Sequence, residues 1–274
     1  MSKTRNGHFN FKLNIMSKNY RQLAESIRGR INPENFMITK SFSDELSTIS
    51  YSEVLMYIRI AMKGVEPEYT QKSKDAGEKV IDHLSSELSS VTFKYQGSVM
   101  TDTHIKGYSD IDLLTICEKF YQYDASGVKR VLENAEVRAN YYQSSLNKLE
   151  QEVNVSTYTG NSINDLSRMR IDCERVLSSV YSNCNISRPK SIKIKNLSLN
   201  REVDIVIANW YDDVTSIIND KGEYRGIQIF NKDTQSREKE DFPFLSIKRI
   251  NDKSSATNGR LKKMIRFLKR TSKT

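Results

Sequence analysis

Tyr95-Gln-Gly-Ser-Val-Met-Thr-Asp-Thr-His-Ile-Lys-Gly-Tyr-Ser-Asp-Ile-Asp-Leu-Leu-Thr-Ile116 is the stretch on which the reading of this chain turns. A β-type run, Val91-Thr-Phe-Lys-Tyr95, leads into Gly97-Ser98. A residue without a Cβ followed by a small hydroxyl lets a backbone amide and an Oγ approach a phosphate closely. Further on, Ser109-Asp-Ile-Asp-Leu-Leu-Thr-Ile116 places Asp110 and Asp112 two residues apart. In a strand that spacing puts both carboxylates on one face, while Ile111 and Leu113 turn into the core. Two neighbouring carboxylates repel unless a cation sits between them, and Mg²⁺ is the usual cation where phosphates react. Arg201-Glu-Val-Asp-Ile-Val-Ile-Ala208 is a second strand-like run, with Asp204 at its centre. Three acids on adjacent strands facing a Gly-Ser turn would form a two-metal nucleotidyl-transfer site.

Gly97-Ser98, Thr103, the Ser109-Asp-x-Asp run and the later strand Asp together resemble the signature of the DNA polymerase β-type nucleotidyltransferase superfamily. Within it, the chain is more similar to the cGAS/DncV-like nucleotidyltransferases (CD-NTases) of bacterial antiphage defence, and through them to oligoadenylate synthases. Gln96-Gly-Ser98, Pro189-Lys-Ser-Ile-Lys-Ile-Lys195 leading into Glu202-Val-Asp-Ile-Val206, and Asn258-Gly-Arg-Leu-Lys-Lys-Met-Ile-Arg-Phe-Leu-Lys269 carry that likeness. It covers roughly residues 50–270.

The resemblance implies an α+β fold: a polymerase β-like core whose mixed or antiparallel sheet carries the catalytic Asp residues, flanked by helices. It implies a polar N-terminal extension at 1–49, a core at 50–240 with a helical insert at 125–182, and a C-terminal helical lobe begun at 241–274. Relatives usually continue that lobe further. The implied activity joins NTPs into a cyclic or short linear oligonucleotide messenger. Asp110, Asp112 and Asp204 would be catalytic and would hold two Mg²⁺ (or Mn²⁺) ions. Gly97, Ser98, Ser109 and Lys269 would bind nucleotide. An effector or regulatory protein is the implied partner. Other readings are a transferase acting on RNA ends or a protein hydroxyl, and a catalytically idle nucleotide- or RNA-binding relative. No Cys/His cluster marks the zinc site of the vertebrate DNA sensor.

Composition sets the outer bounds. The chain has 274 residues, 37% hydrophobic and 28% charged, as in an ordinary soluble globular protein. No apolar run reaches membrane-span length, and Met1–Asn10 has no apolar signal core, so a cytoplasmic protein without membrane contact is expected. Cys117, Cys173 and Cys184 show neither metal nor disulfide spacing, which fits a reducing compartment. Most of the net charge of +9 falls in residues 237–274, a stripe that could bind polyphosphate or nucleic acid.

Along the chain, short helices are expected at 17–28 and 50–63. A longer one over 66–88 has Tyr69, Ala76, Val80, Leu84 and Leu88 on one face. His83 is expected at the surface, and His104 in a loop near the cleft. Residues 118–124 read as a connector, and 125–152 and 162–182 as amphipathic helices. Ile192 and Ile194 alternate with Lys193 and Lys195, a strand that turns back into the Asp204 strand as a hairpin. Trp210 is expected in the core rather than stacked on a base. Residues 243–250 read as a connector. The helix at 260–270 would bury Leu261, Met264, Ile265 and Leu268 and present Lys262, Arg266 and Lys269 on a polar side. Lys269 is expected in the cleft, Arg270 and Lys273 on the outer surface.

Overall fold

The structure, a computed structural model, describes residues 53–105 and 110–272. Met62–Ser272 form one compact unit, and all that follows concerns that unit. Helix α1 (Glu53–Met62) ends at its border; the helix expected at 17–28 lies outside the described residues.

A mixed sheet organises the unit. Strand β1 (Val91–Gln96) runs antiparallel to β2 (Ile111–Tyr123), and β2 lies parallel to β5 (Arg201–Asp212). Along the lower half of β5 runs β4 (Ile192–Asn196), itself paired with the short β3 (Cys184–Asn185). The upper half of β5 pairs with β6 (Gly226–Asn231), which continues to β7 (Ser236–Arg237). The expected hairpin between the Ile192 and Asp204 strands is therefore present, antiparallel, with Asn196 opposite Arg201.

Both faces of the two central strands are covered, so they read as nearly continuous apolar runs. On one face Ile111, Leu113, Val203 and Ile205 pack against helices α2 (Pro67–Ser85) and α6 (Ser162–Val180) through Ala76, Val80, Leu84, Leu166, Cys173 and Leu177. On the other, Leu114, Ile116, Val206, Ala208 and Trp210 form a second cluster that reaches Phe244. Burying each such side chain contributes about 1.5–3 kcal/mol. By alternation Asp112 and Asp204 belong to this second face, beyond its apolar part. Trp210 is buried, as expected, and its indole N–H donates to Glu118.

Several local expectations are corrected. Residues 118–124 are no connector, because β2 continues to Tyr123 through a register shift between Cys117 and Tyr121. That bulge lets the exposed Glu118 and Lys119 interrupt the apolar alternation without ending the strand. Residues 125–152 form three helices, α3 (Ala125–Glu133), α4 (Ala135–Arg138) and α5 (Gln143–Val153). The break is made by Asn134, whose Oδ1 accepts from the amides of Glu136 and Val137. Asn134→Ala is expected to cost about 1 kcal/mol in urea unfolding, the usual loss of an N-cap.

Residues 243–250 belong to helix α8 (Pro243–Ala256), with Pro243 at the first helical position, where its missing N–H costs nothing. The last helix, α9 (Arg260–Thr271), follows α7 (Val214–Ile218) and α8, and it starts after Gly259 at φ 78°. Its buried side departs from the hydropathy reading, with Leu261 and Ile265 only half-buried. Arg266 and Arg270 are 7% exposed, while Met264 and Leu268 are 44% and 58% exposed. The guanidinium groups are buried because backbone carbonyls satisfy them: Arg266 donates to Met62 and Asp102, Arg270 to Lys63. Arg270 is thus not an outer cation. His83 is half-buried, edge-on to Tyr181, rather than free at the surface.

Candidate functional site

The expected carboxylates meet at the end of the sheet where β2 and β5 begin. Asp112 stands directly opposite Asp204 in the parallel ladder, and Asp110 immediately precedes β2. On the far side of β5, Lys193 is the cross-strand partner of Asp204. On the far side of β2, Gln96 is opposite Asp112, so β1 delivers the chain to Gly97 beside that carboxylate. Gly97 has φ +81°, and a Cβ built on it would fall 2.2 Å from Asp112 Oδ2. Glycine suits the position twice over, for the backbone angle and because any Cβ would displace the Asp112 carboxylate.

The electrostatics follow from this crowding. Burial pushes the Asp112 carboxyl up to about 6, reinforced by the charges of Asp204 and Asp110 and opposed by Lys193 and Lys269. Burial also raises Asp204, against the pull of Lys193 and Arg188. Among the described residues, Lys193 and Arg188 pair with these acids. Lys193 Nζ bridges Asp110 and, at 2.7 Å, Glu202, while Arg188 Nη1 lies 3.0 Å from Asp204 Oδ1. Arg188 is held in reach by buried Arg170, which donates to the carbonyls of Ile186, Arg188 and Ser191.

As they stand, no three His, Cys, Asp or Glu side chains among the described residues converge as a metal cluster. The donor set nevertheless fits a hard divalent cation. It offers carboxylate oxygens from two adjacent strands, and the charges of Asp204 and Asp110 add to burial in raising Asp112, against Lys193 and Lys269.

The segment after Gly97 folds back on itself. Thr103 N–H donates to Ser98 O at 2.9 Å, and Thr101 Oγ1 donates to the same carbonyl. Lys269 reaches it from α9, with Nζ 3.2 Å from Thr103 O and close enough to Asp112 to lower that carboxyl's pKa. So Gly97, Ser98, Lys269 and the three Asp residues come together from β1, β2, β5 and α9. Ser109 lies outside the described residues. His104, expected as a loop residue near the cleft, is wholly buried.

The sequence reading passed over Lys193, Arg188 and Glu202. Lys193 did carry a signal, because it lies on the polar side of an alternating strand that runs straight back into the Asp204 strand. Its pairing with Asp110 depended on the parallel β2–β5 register, which no local pattern shows.

A c-di-GMP synthase of Capnocytophaga granulosa is 55% identical over 256 residues, spanning 92% of this chain and 72% of that protein. One from a Lachnospiraceae bacterium is 43% identical over 256 residues, spanning 93% of this chain and 73% of its own length. The solved structure of a STING-associated CdnE c-di-GMP synthase from Flavobacteriaceae sp. matches with a TM-score of 0.81 at 41% identity, over 93% of this chain and 72% of that one. No protein-family model matches the chain. Shared sequence at this level, with a shared fold around a sheet that presents paired acids, leaves one conclusion: the chain is a nucleotidyltransferase and belongs to the CD-NTases, the cGAS/DncV-like family that makes cyclic oligonucleotides.

Proposed function

We propose that the chain condenses two GTP molecules into c-di-GMP, each ribose hydroxyl displacing pyrophosphate from the other GTP, in a Mg²⁺-dependent reaction at Asp110, Asp112 and Asp204. The observation that carries the reading is the facing pair Asp112 and Asp204, with Asp110 beside it, in a chain whose relatives at 55% and 43% identity are c-di-GMP synthases. The three carboxylates would hold the metal, which when bound supplies charge neutralisation at the triphosphate and a lowered pKa at the attacking ribose hydroxyl. The Ser98 hydroxyl and the turn amides would grip the terminal phosphates, and Lys269 Nζ would add a charge-assisted contact. Lys193 and Arg188 would limit repulsion among the acids while the site is empty of nucleotide. An effector that reads the dinucleotide is the proposed partner, a role in antiphage defence the proposed setting, and the cytoplasm the proposed place.

The test is incubation with labelled GTP or ATP and Mg²⁺, then phosphatase. A phosphatase-resistant product of c-di-GMP mass from GTP alone is expected. Label on RNA or protein would indicate end or hydroxyl transfer instead, and unconverted GTP a binding protein.

Lys269→Ala is expected to raise the KM for GTP about tenfold, the worth of one charge-assisted hydrogen bond. Binding of long RNA should be unchanged. If the KM matches the parent while RNA binding weakens and its salt slope falls by about one, α9 is a nucleic-acid surface and Lys269 leaves the site.

A further inference from the structure

We propose that His104 is a positioning residue that fastens the turn after Gly97-Ser98 to helix α2, and so sets how tightly the triphosphate is held. The proposal rests on the nucleotidyl-transfer reading above. It goes beyond that reading by assigning a duty to a side chain that touches neither the acids nor the turn's phosphate-facing groups.

The segment from Val99 to Ile105 has no regular hydrogen-bond ladder, yet it is packed like a core. Val99, Thr101, Thr103, His104 and Ile105 are all buried, and His104 is 0% exposed. Such a segment must be tied down by side chains, because a buried loop otherwise strands its polar groups. Part of the tying is internal. Thr103 N–H and Thr101 Oγ1 both donate to Ser98 O, and the two threonine hydroxyls are 2.8 Å apart. The position of the Ser98 backbone is therefore set by Thr103, and Thr103 is the residue just before His104.

His104 carries the tie outward. Its Nε2 lies 2.9 Å from Thr70 Oγ1 on α2, and its ring stacks with Tyr69 one residue earlier, centroids 6.4 Å apart and planes 23° apart. The Arg201 guanidinium sits 3.8 Å from the centroid of the same Tyr69 ring. Arg201 opens β5 three residues before Asp204, so this one contact group joins the turn, α2 and the strand that bears an acid of the site.

Two features argue against simple space-filling. His104 Nδ1 is buried without a close hydrogen-bond partner, a cost that an apolar side chain of similar size would not incur. The ring is retained in spite of that cost, which points to the Nε2 bond as its use. Burial also holds the imidazole's pKa below its ordinary value, aided by the charges of Lys269 and Arg266 and opposed by Asp102 and a contact with the Ser98 backbone. The tie is thus made by a neutral ring and does not compete with Lys269 for an anion.

The experiment compares His104→Leu, His104→Gln and Thr70→Val with the parent in steady-state GTP kinetics, calorimetric GTP binding with Mg²⁺, and hydrogen exchange over residues 97–105. His104→Leu and Thr70→Val each remove one end of the bond; Gln keeps a polar nitrogen near the place of Nε2. For Leu and Val we expect a KM about tenfold higher with kcat within about twofold, and faster exchange of the Thr103 amide. Gln should restore most of the affinity. Should His104→Leu not fold, Thr70→Val on the partner side carries the test. A parental KM in Leu or Val, a loss confined to kcat, or a Gln variant no better than Leu overturns the proposal. If the parent itself makes no product, the nucleotidyl-transfer reading fails on its own. Binding and exchange then decide the tie, and parental values of both in Leu and Val overturn it.

Discussion

Asp110→Asn combined with Asp112→Asn is expected to lower turnover about 10³-fold or more and to leave the fold intact. The reason is the division of labour in the site. Ile111, Leu113 and Leu114 hold β2 in the core, whereas the intervening acids contribute little to packing and much to repulsion. Neutral amides would be poor ligands for a hard cation, and charge stabilisation of that kind is commonly worth several kcal/mol of barrier. Full turnover in the double variant with Mg²⁺ would remove these residues from the mechanism.

A second measurement on the same residues separates metal binding from structure. In EDTA, Asp112 is a carboxyl whose folded pKa, about 6, lies above its ordinary 3.8. Such a group favours the folded state below the lower value, and its contribution is lost as pH rises through the higher one. Metal-free parent protein should therefore lose stability between about pH 4 and 7, with Asp204 shifted in the same direction. Asp112→Asn alone should flatten that slope and exceed the parent at pH 7 by on the order of 1–3 kcal/mol in urea unfolding. A variant with the parent's slope would mean that the acids are not crowded in the folded protein.

How much of this was legible beforehand depended on whether the deciding contacts were local. The strand placement of Asp112 and Asp204, with Asp110 just ahead of β2, followed from two-residue alternation, which depends only on neighbours in sequence, and the hairpin into Asp204 followed for the same reason. What stayed hidden needed tertiary partners. Arg266 read as part of a polar side and Arg270 as an outer cation because hydropathy counts the charge and not the five donors; the carbonyls of Met62, Lys63 and Asp102 explain their burial. His104 looked idle because Thr70, its partner, lies 34 positions away. The break at Asn134 could have been found, since an Asn followed by Ala-Glu-Val carries capping chemistry, but the unbroken apolar spacing around it masked the signal.

Gly97→Ala is the substitution for which the smallest chemical change should have one of the largest effects. The sequence reading gave Gly97 the task of letting the backbone approach a phosphate. The structure adds a nearer neighbour, because the methyl group would lie 2.2 Å from Asp112 Oδ2 and 3.3 Å from its carboxyl carbon. Atoms that close cannot coexist, so either Asp112 rotates off its present axis or the turn moves away from β2. The second escape is opposed by the backbone, since Ala at φ +81° is itself strained by about 1 kcal/mol or more. It is opposed also by the ties from Ser98 O to Thr103 and from Thr103 O to Lys269. The clashing atom is the end of a rotatable side chain, so the carboxylate should give way first. A displacement of about 1 Å in a group that positions the reacting atoms costs on the order of 10²-fold in rate. We therefore expect Gly97→Ala to lose about 10²–10³-fold in kcat, with melting lowered by only a few degrees, in line with a cost of about 1–2 kcal/mol. Gly97→Ala that retains kcat within about threefold would show that Asp112 is not confined by the turn, and the close fit of Gly97 to that carboxylate would lose its place in the mechanism.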